Sequence, residues 1–187
     1  MISTYFQLGF WHILDITGYD HVLFLAVLIA GIRINDWKGL FTLVSAFTIG
    51  HSLTLALTLF NGNLIESTTV EFLIPVTIIL ASTSNLFWKE KHLATSTTIT
   101  VAFGLIHGMG FAGYLKALLP TSDSLWAPLL FFNHGVESGQ LIFAAFILGL
   151  LQLTRYVSKP AVRIAQIGIS VVGLAISIFL ATNNWIF

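Results

Sequence analysis

The fold is decided by two polar pieces inside long apolar runs, G-L-I-H-G-M-G-F-A at residues 104–112 and F-F-N-H-G-V-E-S-G-Q at residues 131–140. Such runs are typical of membrane spans, which need about 20 apolar residues. A charged side chain at the centre of a spanning helix costs about 2.5–3.5 kcal/mol on insertion scales, so it is retained where it has a partner or a function. His107, His134 and Glu137 are therefore the first candidates for a functional site.

The composition outside these two pieces supports a membrane protein. The 187 residues are 56% hydrophobic and only 9% charged, with a mean hydropathy of +0.90. Soluble domains carry about 25% charged residues. The formal net charge of zero gives no basic surface for nucleic acid. Cysteine is absent, so a bound metal would need nitrogen and oxygen ligands.

Hydropathy predicts an all-α, polytopic helical bundle in a single domain, residues 1–187. An aromatic-rich stretch at residues 4–14 is too short to span and is expected to form an interfacial or re-entrant half-helix. A break follows around residues 15–18. About six transmembrane helices are then expected, at residues 20–34, 40–60, 69–88, 97–119, 125–156 and 162–181.

The basic residues predict the orientation of these spans. Seven of the eight lie on one side, and only Lys116 lies on the other. By the positive-inside rule that side is cytoplasmic, which places both termini on the outer side of the membrane. The seven are Arg33, Lys38, Lys89, Lys91, Arg155, Lys159 and Arg163.

The polar residues inside these spans are expected to lie between the midplane and the outer face. His134 and Glu137 are three residues apart, so they share one helix face. Imidazole combined with carboxylate suits nickel, cobalt, zinc or iron. The predicted metal ligands are Asp20, His21, His51, His107, His134 and Glu137. The predicted pathway or supporting residues are His12, Asp15, Ser52, Glu71, Asn85, Asn133 and Gln140.

Structural roles compete with metal binding at several of these positions. A single intramembrane histidine such as His51 or His107 can serve as a hydrogen-bonding residue between helices. Asp20 is also a candidate helix N-cap, and Glu71 follows Thr68 at the spacing of a capping box. A structural role alone explains the whole set less well, because four histidines and two carboxylates are expected at matching depth.

Four motifs taken together resemble the HupE/UreJ family of bacterial membrane proteins. They are H-I-L-D-I-T-G-Y-D-H-V-L-F-L (12–25), F-T-I-G-H-S-L-T-L (47–55), F-G-L-I-H-G-M-G-F-A (103–112) and F-N-H-G-V-E-S-G-Q (132–140). The resemblance implies an inner-membrane protein of six to seven helices linked to nickel or cobalt uptake. The D-H pair at 20–21 and G-H-S at 50–52 also resemble signatures of wider nickel/cobalt permeases. Those permeases have a histidine four residues before the D-H pair, whereas His12 lies eight residues before Asp20.

The leading hypothesis is a permease that takes up nickel or cobalt from the outer side, with zinc also compatible with the ligands. Its partners would be the lipid bilayer and the metal ion, and a homo-oligomer or an accessory subunit is compatible with the sequence. An enzyme remains the alternative, namely a zinc-type intramembrane hydrolase that uses the same residues. A third hypothesis is a metal-stabilised subunit of a larger complex. A polar route across the membrane favours the permease, whereas a dead-ended pocket open to lipid favours the hydrolase.

Overall fold

The computed structural model describes residues 2–15, 18–62, 64–88, 93–118 and 125–184. These residues form seven helices and no strand, which confirms the predicted helical bundle. Lys89 and Lys91, on which part of the orientation prediction rests, lie outside the described residues. The helices are α1 (Ile2–Leu14), α2 (Asp20–Ala30), α3 (Trp37–Asn61), α4 (Ser67–Phe87), α5 (Leu93–Leu118), α6 (Trp126–Val157) and α7 (Lys159–Asn183).

Five of the described helices, α3 to α7, are long and apolar enough to cross a membrane. The first predicted span is shorter than expected, because α2 ends at Ala30 rather than near residue 34. Its 11 residues correspond to about 16 Å at 1.5 Å per residue, roughly half of a hydrocarbon core. Neither α1 nor α2 can therefore span the membrane alone.

Side chains from neighbouring helices satisfy the carbonyl groups at the end of α2. The Asn85 amide on α4 donates to the Val27 carbonyl at 2.7 Å, and the Gln166 amide on α7 donates to the Ile32 carbonyl at 3.0 Å. The space at Gly31 is filled by the Asn85 side chain, which leaves no room for a Cβ there. These contacts explain why the helix can end at Ala30, since the freed backbone groups have partners.

The helices meet at two ends of the bundle that differ in charge. At one end of the bundle, α2, α4 and α6 finish and α3, α5 and α7 begin. We call this the basic end. It carries Arg33, Lys38, Arg155 and Arg163, whereas Lys116 lies near the other, opposite end. The described basic residues therefore follow the predicted asymmetry.

Close helix pairs hold the bundle together through glycine. Gly135 of α6 lies against Phe6 and Phe10 of α1, and Gly139 lies against Phe10 and Ile13. Residue numbers rise together along this contact, so α1 runs parallel to α6, from the opposite end inward. Because α2 continues to the basic end, α1 and α2 form an interrupted segment with His12 and His21 close to its break. Discontinuous helices of this kind often place their free ends at the binding site of a transporter.

Candidate metal centre

Four imidazole rings from four different helices converge at the break between α1 and α2. The ring centroids of His12 and His21 are 4.5 Å apart, and those of His21 and His51 are 5.9 Å apart. The His107 ring lies 5.3 Å from the His21 ring. His21, His51 and His107 are buried, and His12 is half-buried. Residues far apart in the chain thus form one cluster, which we call the histidine cluster.

Three members of the histidine cluster have the geometry to share one ion. One ring nitrogen from each of His12, His21 and His51 lies within 4.8 Å of the other two. Nitrogen ligands around a tetrahedral ion lie roughly 3.3 Å apart, given metal–nitrogen bonds of about 2.0–2.1 Å. The three rings therefore need to approach each other by at most about 1.5 Å, which is the difference between 4.8 Å and that ligand spacing.

The buried ring nitrogens of the histidine cluster lack protein partners. Nε2 of His12, His21 and His107 and both ring nitrogens of His51 are buried without a hydrogen bond in the described part of the chain. An unsatisfied buried polar group costs about 1–3 kcal/mol. Several such groups around one point indicate a ligand, because packing alone would not retain them. A cation that accepts nitrogen lone pairs is the ligand they fit.

Hydrogen bonds on the far side of two rings set the tautomer that metal binding requires. His21 Nδ1 lies 3.1 Å from the Asp20 carboxylate, and His107 Nδ1 lies 2.9 Å from the Phe103 carbonyl oxygen. Both oxygens only accept, so in the neutral ring Nδ1 carries the proton and Nε2 presents a lone pair. A carboxylate behind a histidine ligand fixes the ring and raises its basicity. Asp20 thus acts on the site through His21.

The packing of α3 against α5 brings His51 and His107 to the same level. Gly104 lies against the backbone of Phe47, and Gly108 lies against the backbone of His51, so the two helices run parallel. The Thr54 hydroxyl also donates to the Leu105 carbonyl at 2.7 Å. The small residues Gly104 and Gly108 on this face of α5 allow the close approach. It positions one histidine from each helix.

A cavity of about 960 Å³ leads from the opposite end to the histidine cluster. His12, His21 and His107 line it, and Glu71 at the start of α4 marks its outer part. The other lining residues are Thr4, Gln7, Leu8, Trp11, Leu14, Asp15, Gly18, Asp20, Ile74, Gly110, Phe111 and Tyr114. An ion can therefore reach the imidazoles from one end of the bundle.

Toward the basic end, a layer of phenylalanine lies against the histidine cluster. The Phe24 and Phe47 rings stack with centroids 4.9 Å apart, and both side chains are fully buried. Each lies about one turn toward the basic end from a histidine of the cluster, His21 and His51 respectively. The Phe24 ring also contacts His107, at 5.0 Å. The histidine cluster thus has the cavity on the side of the opposite end and buried phenylalanine rings on the side of the basic end.

The structure does not bring every predicted ligand to the histidine cluster. His134 is exposed on α6, and Glu137 accepts a hydrogen bond from the Ser45 hydroxyl at 2.7 Å. One turn further, the Thr48 hydroxyl donates to the Gln140 side-chain oxygen, also at 2.7 Å. These two bonds form a polar contact between α3 and α6. This geometry does not support metal binding by His134 and Glu137, which stays a prediction.

The other predicted pathway residues lie in different parts of the bundle. Asp15 and Glu71 line the cavity, whereas Asn85 is buried at the end of α2. Asn133 and Ser52 are half-buried on α6 and α3. Ser82, three residues before Asn85 on α4, is fully buried, and its hydroxyl lacks a partner in the described part of the chain.

Sequence reasoning placed His12 among the supporting residues, whereas the structure places it in the histidine cluster. Its ring lies 3.7 Å from the Phe111 ring by centroid distance, so an aromatic neighbour on α5 confines it. The available signal was the break after α1, because a helix interrupted near a histidine exposes that residue to the interior of the bundle.

Comparison with known proteins adds one match. The family model for HupE/UreJ proteins matches residues 1–183. The chain belongs to this family. The match covers nearly the whole chain, including α7, which carries none of the quoted motifs. No curated protein and no solved structure matches the chain. Membership of the HupE/UreJ family supports metal transport in general terms. It does not identify the ion or the ligands that hold it.

Proposed function

We propose that this HupE/UreJ protein is a permease for a divalent transition metal, nickel or cobalt, with the histidine cluster as its binding site. The observation that carries the proposal is the set of buried, unpartnered imidazole nitrogens where the cavity ends. Imidazole binds nickel, cobalt and zinc, so the ligands fit the two metals suggested by the family without excluding zinc. His12, His21 and His51 would hold the ion, with His107 as an adjacent ligand.

The proposal places the protein in a bacterial inner membrane with its basic end in the cytoplasm. Arg33, Lys38, Arg155 and Arg163 at that end support this orientation through the positive-inside rule. The cavity then opens to the periplasm, and both described ends of the chain lie on that side. The Phe24–Phe47 layer would separate the bound ion from the cytoplasm. In a carrier that alternates access, this arrangement corresponds to the outward-open state.

Residues other than the ligands would support binding and passage in this proposal. Asp20 would hold His21 in the metal-binding tautomer, and the cavity carboxylates Asp15 and Glu71 would surround the approach. The polar contact between α3 and α6, with Ser45, Thr48 and Glu137, begins about one turn inward from His51. It offers a polar alternative to the phenylalanine layer for movement toward the basic end.

The test combines metal content with flux. The full chain would be purified without an affinity tag of histidines, its bound metal measured, and uptake followed in proteoliposomes containing a metal-sensitive dye. The proposal predicts about one tightly bound ion per chain and uptake that His51→Ala abolishes. Wild-type protein that binds no nickel, cobalt or zinc would refute it.

A metal-dependent hydrolase remains the second candidate, because the cavity ends at the histidine cluster and has apolar walls such as Trp11 and Phe111. Three imidazoles with an open fourth position match the ligand set of a catalytic zinc site. The flux measurement separates the two candidates. Stoichiometric metal binding without any transmembrane movement of metal would favour the hydrolase.

A further inference from the structure

We propose that a second, smaller cavity at the opposite end of the bundle binds a sodium ion. This cavity has a volume of about 90 Å³ and lies between the end of α3, the beginning of α4 and the later part of α5. Thr58, Ser67 and Glu71 line it with oxygen-bearing side chains. A sodium ion there would balance the charge of Glu71 and link three helices beside the outer part of the larger cavity.

The Thr58 hydroxyl is the buried group that indicates a ligand in this cavity. Only 4% of Thr58 is exposed, and its Oγ1 has no hydrogen-bond partner in the described part of the chain. The hydroxyls of Thr48 and Thr54 on the same helix, by contrast, donate to backbone carbonyl oxygens. Leaving a buried hydroxyl unsatisfied is unfavourable, so a polar ligand is expected where Thr58 lines the cavity.

The cavity is a gap that the packing of the three helices leaves open. Thr58 lies one turn after Thr54, on the face of α3 that contacts α5. On α5, a Cβ added at Gly110 would meet the Ile74 side chain of α4 at 3.0 Å, so these two helices touch there. A Cβ added at Gly113 would meet nothing within 4 Å. The close contact at Gly110 and the space at Gly113 place the gap next to the Thr58 hydroxyl.

The Glu71 carboxylate makes this cavity negative. Neither lysine nor arginine is among its described lining residues, and Glu71 forms no salt bridge in the part of the chain that the structure describes. One carboxylate among neutral hydroxyls is balanced by a monovalent cation. A divalent cation would leave the site with an excess positive charge.

The donor atoms and the volume also favour sodium. Imidazole, which suits nickel and cobalt, is absent from the described lining, and carboxylate and hydroxyl oxygens suit hard cations. Calcium takes 6–8 oxygen ligands, more than this cavity offers through three polar side chains. At about 30 Å³ per water, the cavity has room for one small ion and about two waters. A potassium ion is larger and leaves less of this space for coordinating water.

The sodium site is separate from the histidine cluster. Thr58 follows His51 by seven residues on α3, which is about 10 Å along the helix axis. Glu71 and Gly110 line both cavities, so the sodium ion would lie beside the approach to the imidazoles and not among them. Sodium binding does not depend on the proposed function and is measurable without nickel.

The first experiment measures sodium binding by the full chain in lipid nanodiscs, free of nickel. Binding of radioactive sodium is followed at equilibrium, and thermal unfolding is compared in sodium, potassium and choline chloride at equal ionic strength. We expect saturable sodium binding and a Tm that rises with sodium alone, because a ligand of the folded state stabilises it. Equal Tm values in the three salts, with no sodium bound, would show that the cavity holds only water and would overturn the inference.

The second experiment locates the site with variants. Thr58→Val keeps the shape of the side chain and removes the hydroxyl, and it should lower sodium affinity about tenfold, as expected for one lost contact to a charged group. Thr42→Val is the matched control, since Thr42 is exposed on the same helix and its hydroxyl donates to the Lys38 carbonyl. Met109→Leu removes the thioether that also lines the cavity and should leave sodium affinity unchanged.

The remaining outcomes are equally specific. Wild-type sodium affinity in Thr58→Val, or a loss as large in Thr42→Val, would overturn the location of the site. Calcium that displaced sodium at equal concentration would overturn the assignment to a monovalent cation. Nickel binding without sodium binding would remove this inference alone, whereas sodium binding without nickel binding would remove the proposed function alone.

Discussion

The contact between α3 and α5 should control metal affinity, and Gly108 provides the sharpest perturbation of it. A Cβ added at Gly108 would lie 2.9 Å from the carbonyl carbon of His51, whereas ordinary van der Waals contact begins at 3.4 Å. Gly108→Ala therefore forces the helices apart by at least about 0.5 Å. The contact involves rigid backbone on both sides, so rotation of a side chain cannot relieve it.

This displacement acts directly on a proposed ligand. Metal–ligand distances in well-formed sites stay within about 0.2 Å of their preferred values, so a shift of about 0.5 Å at His51 exceeds that tolerance. We expect metal affinity to fall about 10- to 100-fold, the range found when groups that orient metal ligands are altered. Overpacking should also reduce the free energy of unfolding by about 1–3 kcal/mol.

The matched control is Gly113→Ala on the same helix, because a Cβ there meets nothing within 4 Å. Affinity would be measured by calorimetric titration of nickel into protein in lipid nanodiscs, with helical content checked by circular dichroism. Gly113→Ala should bind like the wild type. A folded Gly108→Ala protein with wild-type affinity would refute the claim that this helix contact positions His51.

Four further substitutions distinguish the histidine cluster from the other candidates. His51→Ala should abolish high-affinity binding in the same titration, because both ring nitrogens of this fully buried residue lack protein partners. Asp20→Asn should lower the affinity about 10- to 100-fold while keeping the fold, since it removes the charge behind His21; wild-type affinity would show that the carboxylate is not needed. His134→Ala and Glu137→Gln should each change the affinity by no more than about twofold, as expected for sites that share no partner with the ligands. A large loss in either would bring α6 into the binding site, as the sequence alone suggested.

Most of the helix boundaries could be predicted because hydropathy and charge act locally. The span expected at residues 125–156 is observed as Trp126–Val157, and the half-helix expected at residues 4–14 as Ile2–Leu14. The early end of α2 could not be predicted in this way. It depends on Asn85 and Gln166, which come from distant helices and satisfy the backbone where the helix stops.

Only some members of the histidine cluster could be predicted from the sequence, for a physical reason. Depth in the membrane follows from position along a span, but the direction a residue faces depends on how each helix is rotated by its packing. His134 and Glu137 share a face of α6 that contains the contact to Ser45, and His134 itself is exposed. Conversely, His12 joins His21 because the chain breaks and α1 packs against α6, a contact that local patterns do not reveal.

The central claim is that imidazoles from separate helices bind one metal ion at the end of the cavity. X-ray absorption spectroscopy at the nickel edge, on the full chain loaded with one equivalent of nickel, tests it most directly. The account predicts at least three nitrogen ligands at about 2.0–2.1 Å with the multiple-scattering pattern of imidazole, and loss of that pattern in His51→Ala. A spectrum with oxygen ligands alone, or one unchanged by His51→Ala, would contradict it.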